Sequence, residues 1–113
     1  MHELSLCSEL LASLGEQAQR HGFARVREVW LEVGMLSGVA PEALEFCFAA
    51  LARGTMAEGA RLVIQQVPAQ GWCPGCDASA PMDSAETSCA HCGMPLERLA
   101  GGDGLRLKAL DVA

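Results

Sequence analysis

Apolar residues near the start of the chain recur at the three- and four-residue spacing of an amphipathic helix. The stripe consists of Leu4, Cys7, Leu11, Leu14 and Ala18, widened by Leu6 and Leu10. This period predicts a first helix that ends at His21-Gly22, because glycine commonly terminates helices. Cys7, as a member of the stripe, is predicted to be a small core side chain.

The pattern then changes to alternation over residues 26–34. Val29, Leu31 and Val33 fall on one side, and Glu28, Trp30 and Glu32 fall on the other. Such a period of two predicts a half-buried strand with a polar outer face. Pro41 then marks the first turn of a second helix, whose apolar side carries Leu44, Cys47, Phe48 and Leu51 and which Gly54 ends.

Two further strands are predicted at residues 61–67 and 105–110. Together these elements predict an α/β (α+β) fold in which two helices pack on a small three-stranded mixed sheet. The segment between the last two strands contains four of the six cysteines and is predicted to be inserted into this sheet as a separate lobe.

The four cysteines form two C-x2-C pairs with twelve residues between them, namely Cys73 with Cys76 and Cys89 with Cys92. Two intervening residues allow a tight turn to direct both sulfurs of a pair at one point, and Gly75 and Gly93 ease the backbone. Zn(II) accepts four thiolates tetrahedrally, and this spacing is that of a zinc ribbon. The pattern therefore predicts a structural Zn(II) site.

Other interpretations of the cysteines are weaker. Two disulfides, or a thioredoxin-like redox dithiol at Cys73-Pro74-Gly75-Cys76, would suit a single pair, but a second pair at ribbon spacing and the lack of secretory features disfavour both. His91 is a competing ligand. Because four cysteines already complete a tetrahedron, His91 is predicted to lie outside the ligand set.

The lobe has few large apolar residues, so the metal must supply much of its folding free energy. We predict an α/β domain formed by residues 1–68 with 104–113, and a zinc-ribbon domain formed by residues 69–103.

The net charge is −6 and the lobe lacks a basic stripe, which disfavours nucleic acid as a partner. No apolar run approaches the ~20 residues that span a bilayer and no signal peptide is recognisable, so we expect a cytoplasmic protein without a membrane partner.

The first three residues carry a second chelating pattern. Met1 offers a terminal amine, and His2 offers a backbone amide nitrogen and an imidazole nitrogen, which together form fused chelate rings. Ni(II) and Cu(II) favour such planar nitrogen sets, whereas zinc does not. A histidine near a chain terminus is usually solvated, however, so this pattern alone leaves nickel binding open.

Several motifs together resemble the HypA/HybF family of hydrogenase nickel-incorporation proteins. They are Met1-His2-Glu3-Leu4-Ser5, Glu32-Val33-Gly34, Leu36-Ser37-Gly38-Val39, Pro41-Glu42-Ala43-Leu44, Gly54-Thr55, Glu58-Gly59-Ala60 and the two cysteine pairs. The resemblance extends over essentially the full chain. It implies a small non-enzymatic metallochaperone that holds transient Ni(II) at its N-terminus and structural Zn(II) in a separate lobe.

The resemblance also implies partners and site residues. Members work with a nickel-handling GTPase to load nickel into the precursor of the [NiFe] hydrogenase large subunit. By position, nickel binding falls on His2 with the Met1 amine and the Glu3 backbone or carboxylate. Zinc binding falls on Cys73, Cys76, Cys89 and Cys92. A role with urease and a homodimer both stay open.

Three points remain undecided by the sequence. Glu42 is either a further nickel ligand or a carboxylate that interacts with the helix dipole. Ala78 and Gly93 stand where some members of the family have histidines, so we do not expect the zinc site to respond to pH.

The alternative function is a zinc-ribbon adaptor without a nickel role. An enzyme is disfavoured because a closed four-thiolate site leaves no open metal position.

Overall fold

The computed structural model describes residues 3–113, within which there are two α-helices and six β-strands. Their bounds are α1 Glu3–His21, β1 Val26–Gly34, α2 Pro41–Leu51, β2 Arg61–Val67, β3 Ala69–Cys73, β4 Ala78–Met82, β5 Glu97–Gly101 and β6 Leu105–Val112. The predicted fold class is confirmed, with both helices and all three predicted strands present. The last strand continues two residues beyond its predicted end.

The strand order in the first sheet is β2-β1-β6, and the sheet is mixed. Met35, which follows β1, donates its N–H to the carbonyl of Val67 at the end of β2, so these two strands run parallel. Ala113, which follows β6, donates to the carbonyl of Arg25 just before β1, so β6 runs antiparallel to β1. Helix α2 is therefore the crossover of a β-α-β unit.

The two helices and the inner face of β1 form the core of this part of the chain. Its buried side chains include Cys7, Leu10, Leu14, Val29, Leu31, Leu44 and Phe48. The alternation predicted for β1 is observed, since Val29, Leu31 and Val33 are buried whereas Trp30 is exposed. Cys7 is a core residue as predicted, and burial raises the pKa of its thiol to about 11.

The predicted stripe of α1 was wrong at its start. Leu4 is exposed, and the buried face runs through Glu3, Cys7, Leu10 and Leu14. In the first turn of α1, the side chain of Glu3 faces the interior and that of Leu4 faces solvent. A rule that assigns apolar residues to the interior cannot find an inward-facing carboxylate.

The second sheet has the order β4-β3-β5, with both pairings antiparallel. None of these three strands was predicted, because their sequences are rich in small, polar and proline residues and lack a clear alternation. A small core lies between them and the loop that carries the second cysteine pair. It consists of Ala69, Cys73, Met82, Cys89 and Leu96.

Contacts divide the chain into two compact units. The first comprises Met1–Glu32, Val39–Gln65 and Arg106–Ala113, and the second comprises Val33–Gly38 and Gln66–Leu105. The second unit contains all four paired cysteines together with the last two residues of β1 and the four residues that follow them. Within the described part of the chain, neither helix is long and apolar enough to cross a membrane.

Candidate metal centre

Two turns bring the four paired cysteines together in the second unit. Cys73 ends β3 and Cys76 lies in the turn before β4, while Cys89 and Cys92 lie in the loop that precedes β5. The four Sγ atoms all lie within 4.8 Å of one another. Among residues 3–113 this is the group of histidine, cysteine and carboxylate side chains that converges closely enough to hold a metal ion.

The distances between sulfurs suit a shared ion better than disulfides. The Sγ atoms of Cys73 and Cys92 are 3.4 Å apart, and those of Cys76 and Cys89 are 3.9 Å apart. An ion about 2.3 Å from each of four tetrahedral sulfurs separates them by about 3.8 Å. A disulfide requires about 2.05 Å. The close pairs join one turn to the other, so an ion bound here would link the two turns.

Backbone amides stabilise negative charge on the sulfurs. Cys76 donates its N–H to Sγ of Cys73, and His91 donates its N–H to Sγ of Cys89, each at 3.4 Å. The backbone N–H groups of Cys92 and His91 lower the pKa of Cys89 to about 6. The thiols of Cys92 and Cys73, in contrast, raise the pKa of Cys76 to about 12. Four sulfurs this close therefore ionise together only when a cation offsets their repulsion.

Two glycines allow these turns for different reasons. A Cβ at Gly75 would lie 2.5 Å from Sδ of Met94 and 3.4 Å from Sγ of Cys92, so a larger residue there would require the Met94 side chain to move. Gly93 has a φ of +79°, a left-handed conformation that glycine adopts without strain. Its N–H donates to the carbonyl of Cys89 at 2.8 Å, which closes the second turn. The sequence alone did not separate these two roles.

His91 lies beside the cluster without joining it. A cavity of about 270 Å³ is lined by His91, by small side chains of β4 and by three of the four cysteines. The group of converging ligand atoms comprises the four sulfurs and does not include an imidazole nitrogen of His91. With four sulfur ligands at tetrahedral spacing, a metal ion would have no position open to water or substrate.

The predicted nickel ligands fall at the edge of the described structure. Met1 and His2 lie outside the described residues. Glu3 is buried, and its Oε2 accepts a hydrogen bond from the N–H of Ala40 at 3.2 Å. Ala40 is the N-cap residue of α2 and has no capping side chain of its own. The start of α1 is therefore attached to the start of α2 through the Glu3 carboxylate.

This contact of Glu3 was not predicted from the sequence. The sequence gives little sign of it: an alanine before Pro41 supplies no capping side chain, but the group that Glu3 accepts is the N–H of Ala40 itself. Glu42 lies in the first turn of α2 and is exposed. Within the described residues it does not belong to a group of side chains that could hold a metal ion.

Comparison with known proteins identifies the family. A family model described as "Hydrogenase/urease nickel incorporation, metallochaperone, hypA" matches residues 1–112. The chain belongs to the HypA family. It is 47% identical over 111 residues to the hydrogenase maturation factor HybF of Morganella morganii, and the alignment covers 98% of each chain. It is 44% identical to the hydrogenase maturation factor HypA of Azotobacter vinelandii, with 99% of each chain covered.

A solved structure has the same fold as this HypA family member. The solution structure of the nickel metallochaperone HypA from Helicobacter pylori matches with a TM-score of 0.69 at 21% identity, over 99% of this chain and 97% of that one. The resemblance predicted from the motifs is thus confirmed by the family model, the sequence relatives and the fold. The family is one of metallochaperones that act as maturation factors rather than one of enzymes.

Proposed function

We propose that this protein binds Ni(II) at its N-terminus and delivers it for maturation of a [NiFe] hydrogenase. The single observation that carries the proposal is the match of the HypA family model over residues 1–112, a span that includes the chelating start of the chain. Relatives that are 40% to 47% identical over nearly their full length are named hydrogenase maturation factors, which supports the same process here.

The nickel ligands in this proposal are the Met1 amine together with the amide and imidazole nitrogens of His2. These three nitrogens form a planar set that suits Ni(II). The Glu3 carboxylate already accepts the Ala40 N–H, so Glu3 contributes through its backbone and through the position of its helix turn. Glu42 remains an alternative fourth ligand, because it is exposed two residues beyond Ala40.

The four paired cysteines would hold Zn(II) as a structural ion. Thiolate ligands at tetrahedral spacing suit zinc, and a closed set of four suits a structural rather than a catalytic role. Nickel binding is assigned to the α/β domain of residues 1–68 with 104–113, and zinc binding to the domain of residues 69–103. Separate sites allow nickel to be transferred while the zinc domain stays folded.

The partners proposed for this protein are a nickel-handling GTPase and the precursor of the hydrogenase large subunit, both in the cytoplasm. The family description also names urease. A cell that lacks the native protein separates the two roles, because hydrogenase and urease activities can be measured in the same extract. The contrasting hypothesis is a zinc-ribbon adaptor that binds proteins and has no nickel site.

Calorimetric nickel titration of four forms of the protein tests the proposal. The forms are the untagged chain, a chain extended by two residues at its N-terminus, His2→Ala and the control His21→Ala, whose histidine is exposed at the end of α1. The untagged chain and His21→Ala should bind one nickel. The extended chain and His2→Ala should not, because extension removes the amine and the substitution removes the imidazole.

Activity in cells should follow nickel binding. The extended chain and His2→Ala should fail to restore hydrogenase maturation unless nickel is supplied in excess, when mass action replaces a carrier. Both forms should retain zinc. Equal nickel binding by all four forms, or full maturation by the two altered forms at low nickel, would reject the proposal in favour of the adaptor.

A further inference from the structure

The four cysteines of the metal centre differ in their exposure to solvent. Cys92 is exposed and Cys76 is half-buried, whereas Cys73 and Cys89 are only 1% and 8% exposed. A small reagent in solution can therefore reach Cys92 more easily than the other three, even while an ion is bound among the sulfurs.

A bound metal ion would make Cys92 reactive as well as accessible. The thiolate is the nucleophilic form of cysteine, and a thiol that coordinates Zn(II) is deprotonated. Oxidation of cysteine by peroxides follows thiolate character and exposure, and Cys92 would combine both. Cys7 is the opposite case, because it is fully buried and burial raises its pKa to about 11, so it stays protonated at neutral pH.

A second sulfur lies next to that of Cys92. The Sγ atoms of Cys92 and Cys73 are 3.4 Å apart, closer than the 3.9 Å between those of Cys76 and Cys89. A disulfide, with sulfurs about 2.05 Å apart, needs only a small further approach. Because Cys73 ends β3 and Cys92 lies in the loop before β5, such a bond would join one cysteine turn to the other.

We propose that Cys92 is an oxidation site, at which a hydroperoxide oxidises the metal-bound thiolate, Cys73 closes a disulfide with it, and Zn(II) is released. The inference rests on the zinc site of the proposed function and does not involve the nickel site. It gives the four cysteines a response to oxidants in addition to their structural role.

The reaction balances with one hydroperoxide molecule as the oxidant. The Cys92 thiolate attacks one peroxide oxygen, so that an S–O bond forms, the O–O bond breaks and hydroxide leaves. The Cys73 thiolate then attacks the sulfur of this sulfenic acid, so that an S–S bond forms, the S–O bond breaks and a second hydroxide leaves. For hydrogen peroxide, the two thiolates lose two electrons in total, and the peroxide with two protons becomes two water molecules.

The disulfide would replace the ion as the link between the two turns. It removes two of the four ligands, and the thiolates of Cys76 and Cys89 do not complete a tetrahedral site by themselves. Because the new bond joins the same turns as the ion, residues 69–103 should stay compact after the metal is lost. A thiol reductant should break the bond and allow zinc to bind again.

Zinc release from the full untagged chain tests the inference. The zinc-containing, nickel-free protein is treated with hydrogen peroxide in thiol-free buffer, and a colorimetric chelator measures the free zinc. We expect one zinc per chain to be released, and dithiothreitol followed by zinc to restore the original content. Full zinc content that peroxide does not release would overturn this inference alone. Zinc well below one per chain before peroxide is added would overturn the zinc site as well.

Peptide mapping of the oxidised wild-type chain identifies the bond. Once free thiols are blocked, cleavage after Glu86 divides the chain between the two cysteine pairs. Fragments that stay joined without reductant contain a bond between the pairs, and tandem mass spectrometry should assign it to Cys73 and Cys92. A bond within one pair, or a bond between Cys76 and Cys89, would overturn the proposal.

Two variants with the same ligand types distinguish oxidation at Cys92 from general lability of the site. Cys92→His retains a nitrogen ligand for zinc but removes the exposed sulfur, so peroxide should release its zinc at least about tenfold more slowly. Cys76→His also has three cysteines and one histidine but keeps Cys73 and Cys92, so it should release zinc as fast as wild type. Zinc content and release without peroxide are measured first for each. Equal release by the two variants would reject Cys92 as the oxidation site.

Discussion

Glu3 is the one buried charged side chain within residues 3–113. Burying a carboxylate is unfavourable unless hydrogen bonds or nearby positive potential replace its water. Here the Ala40 N–H supplies a hydrogen bond, and the start of α2 supplies the positive end of a helix dipole. The arrangement reproduces one half of a capping box, the hydrogen bond to the N–H of the N-cap residue, with an acidic residue that comes from another helix. It fixes the residue directly after the proposed nickel ligands.

Two substitutions of Glu3 distinguish a positioning role from a ligand role. Glu3→Gln retains an oxygen that can accept the Ala40 N–H, so nickel affinity should stay close to wild type. Glu3→Ala removes the acceptor and should weaken nickel binding about tenfold. It should also lower the free energy of unfolding by about 1–2 kcal/mol, measured by urea denaturation. If calorimetry instead finds that both variants lose nickel equally, the carboxylate is itself a ligand.

At the scale of elements, the α/β part and the cysteine part are stabilised differently. Helices α1 and α2 pack against each other, and together with β1 they bury large apolar side chains. The sheet formed by β3, β4 and β5 has a core of five residues, two of which are cysteines of the cluster. So small a core gives limited stabilisation, and a metal that links the two cysteine turns should contribute much of the rest.

Loss of one cysteine of the cluster should therefore loosen residues 69–103 and leave the packing of α1 and α2 intact. Cys76→Ser should reduce zinc binding at least tenfold and broaden the NMR signals of residues 69–103, while the signals of α1 and α2 stay sharp. Cys47→Ser, outside the cluster on α2, is the matched control and should keep one zinc per chain. Elemental analysis measures the zinc content, and a two-dimensional amide NMR spectrum measures the line widths. Full zinc content in Cys76→Ser would exclude Cys76 as a ligand.

The whole molecule has a net negative charge, and most of its basic side chains form ion pairs. The net charge is −6, and five of the eight basic residues form ion pairs with carboxylates, as Arg106 and Lys108 do with Glu32. The Arg106 hydrogen bond holds the pKa of Glu32 below its usual value, so this pairing persists through neutral pH. The described surface has no group of free cations that could replace the counterions of a nucleic acid.

We accordingly expect no retention of duplex DNA or single-stranded RNA in a gel-shift assay at physiological salt. The variant Glu28→Gln/Glu32→Gln frees Arg61, Arg106 and Lys108 from their partners and should bind weakly, with an affinity that falls as salt rises. Salt-sensitive binding by the wild-type chain would contradict this explanation of its surface.

The sequence by itself determined the elements and the cysteine cluster that depend on local pattern. Strand β1 was predictable because it alternates, α2 because its apolar period begins at Pro41, and the four cysteines because C-x2-C spacing is a local property of a turn. The family was predictable because its motifs are short and contiguous. The nickel ligands at Met1 and His2 and the domain ranges remain predictions.

Only the tertiary structure decided what depends on contacts between distant residues. Strands β3, β4 and β5 have weak local preference and form because they pair with one another. The distances of 3.4 Å and 3.9 Å between sulfurs of different turns required both turns to be placed. Glu3 turned inward, in place of Leu4, because an acceptor was needed 37 positions away at Ala40. Local sequence determines the hydrophobic period of an element and the geometry of a turn. Which side chains are buried and which strands pair depends on residues that are distant in the sequence and come together only on folding.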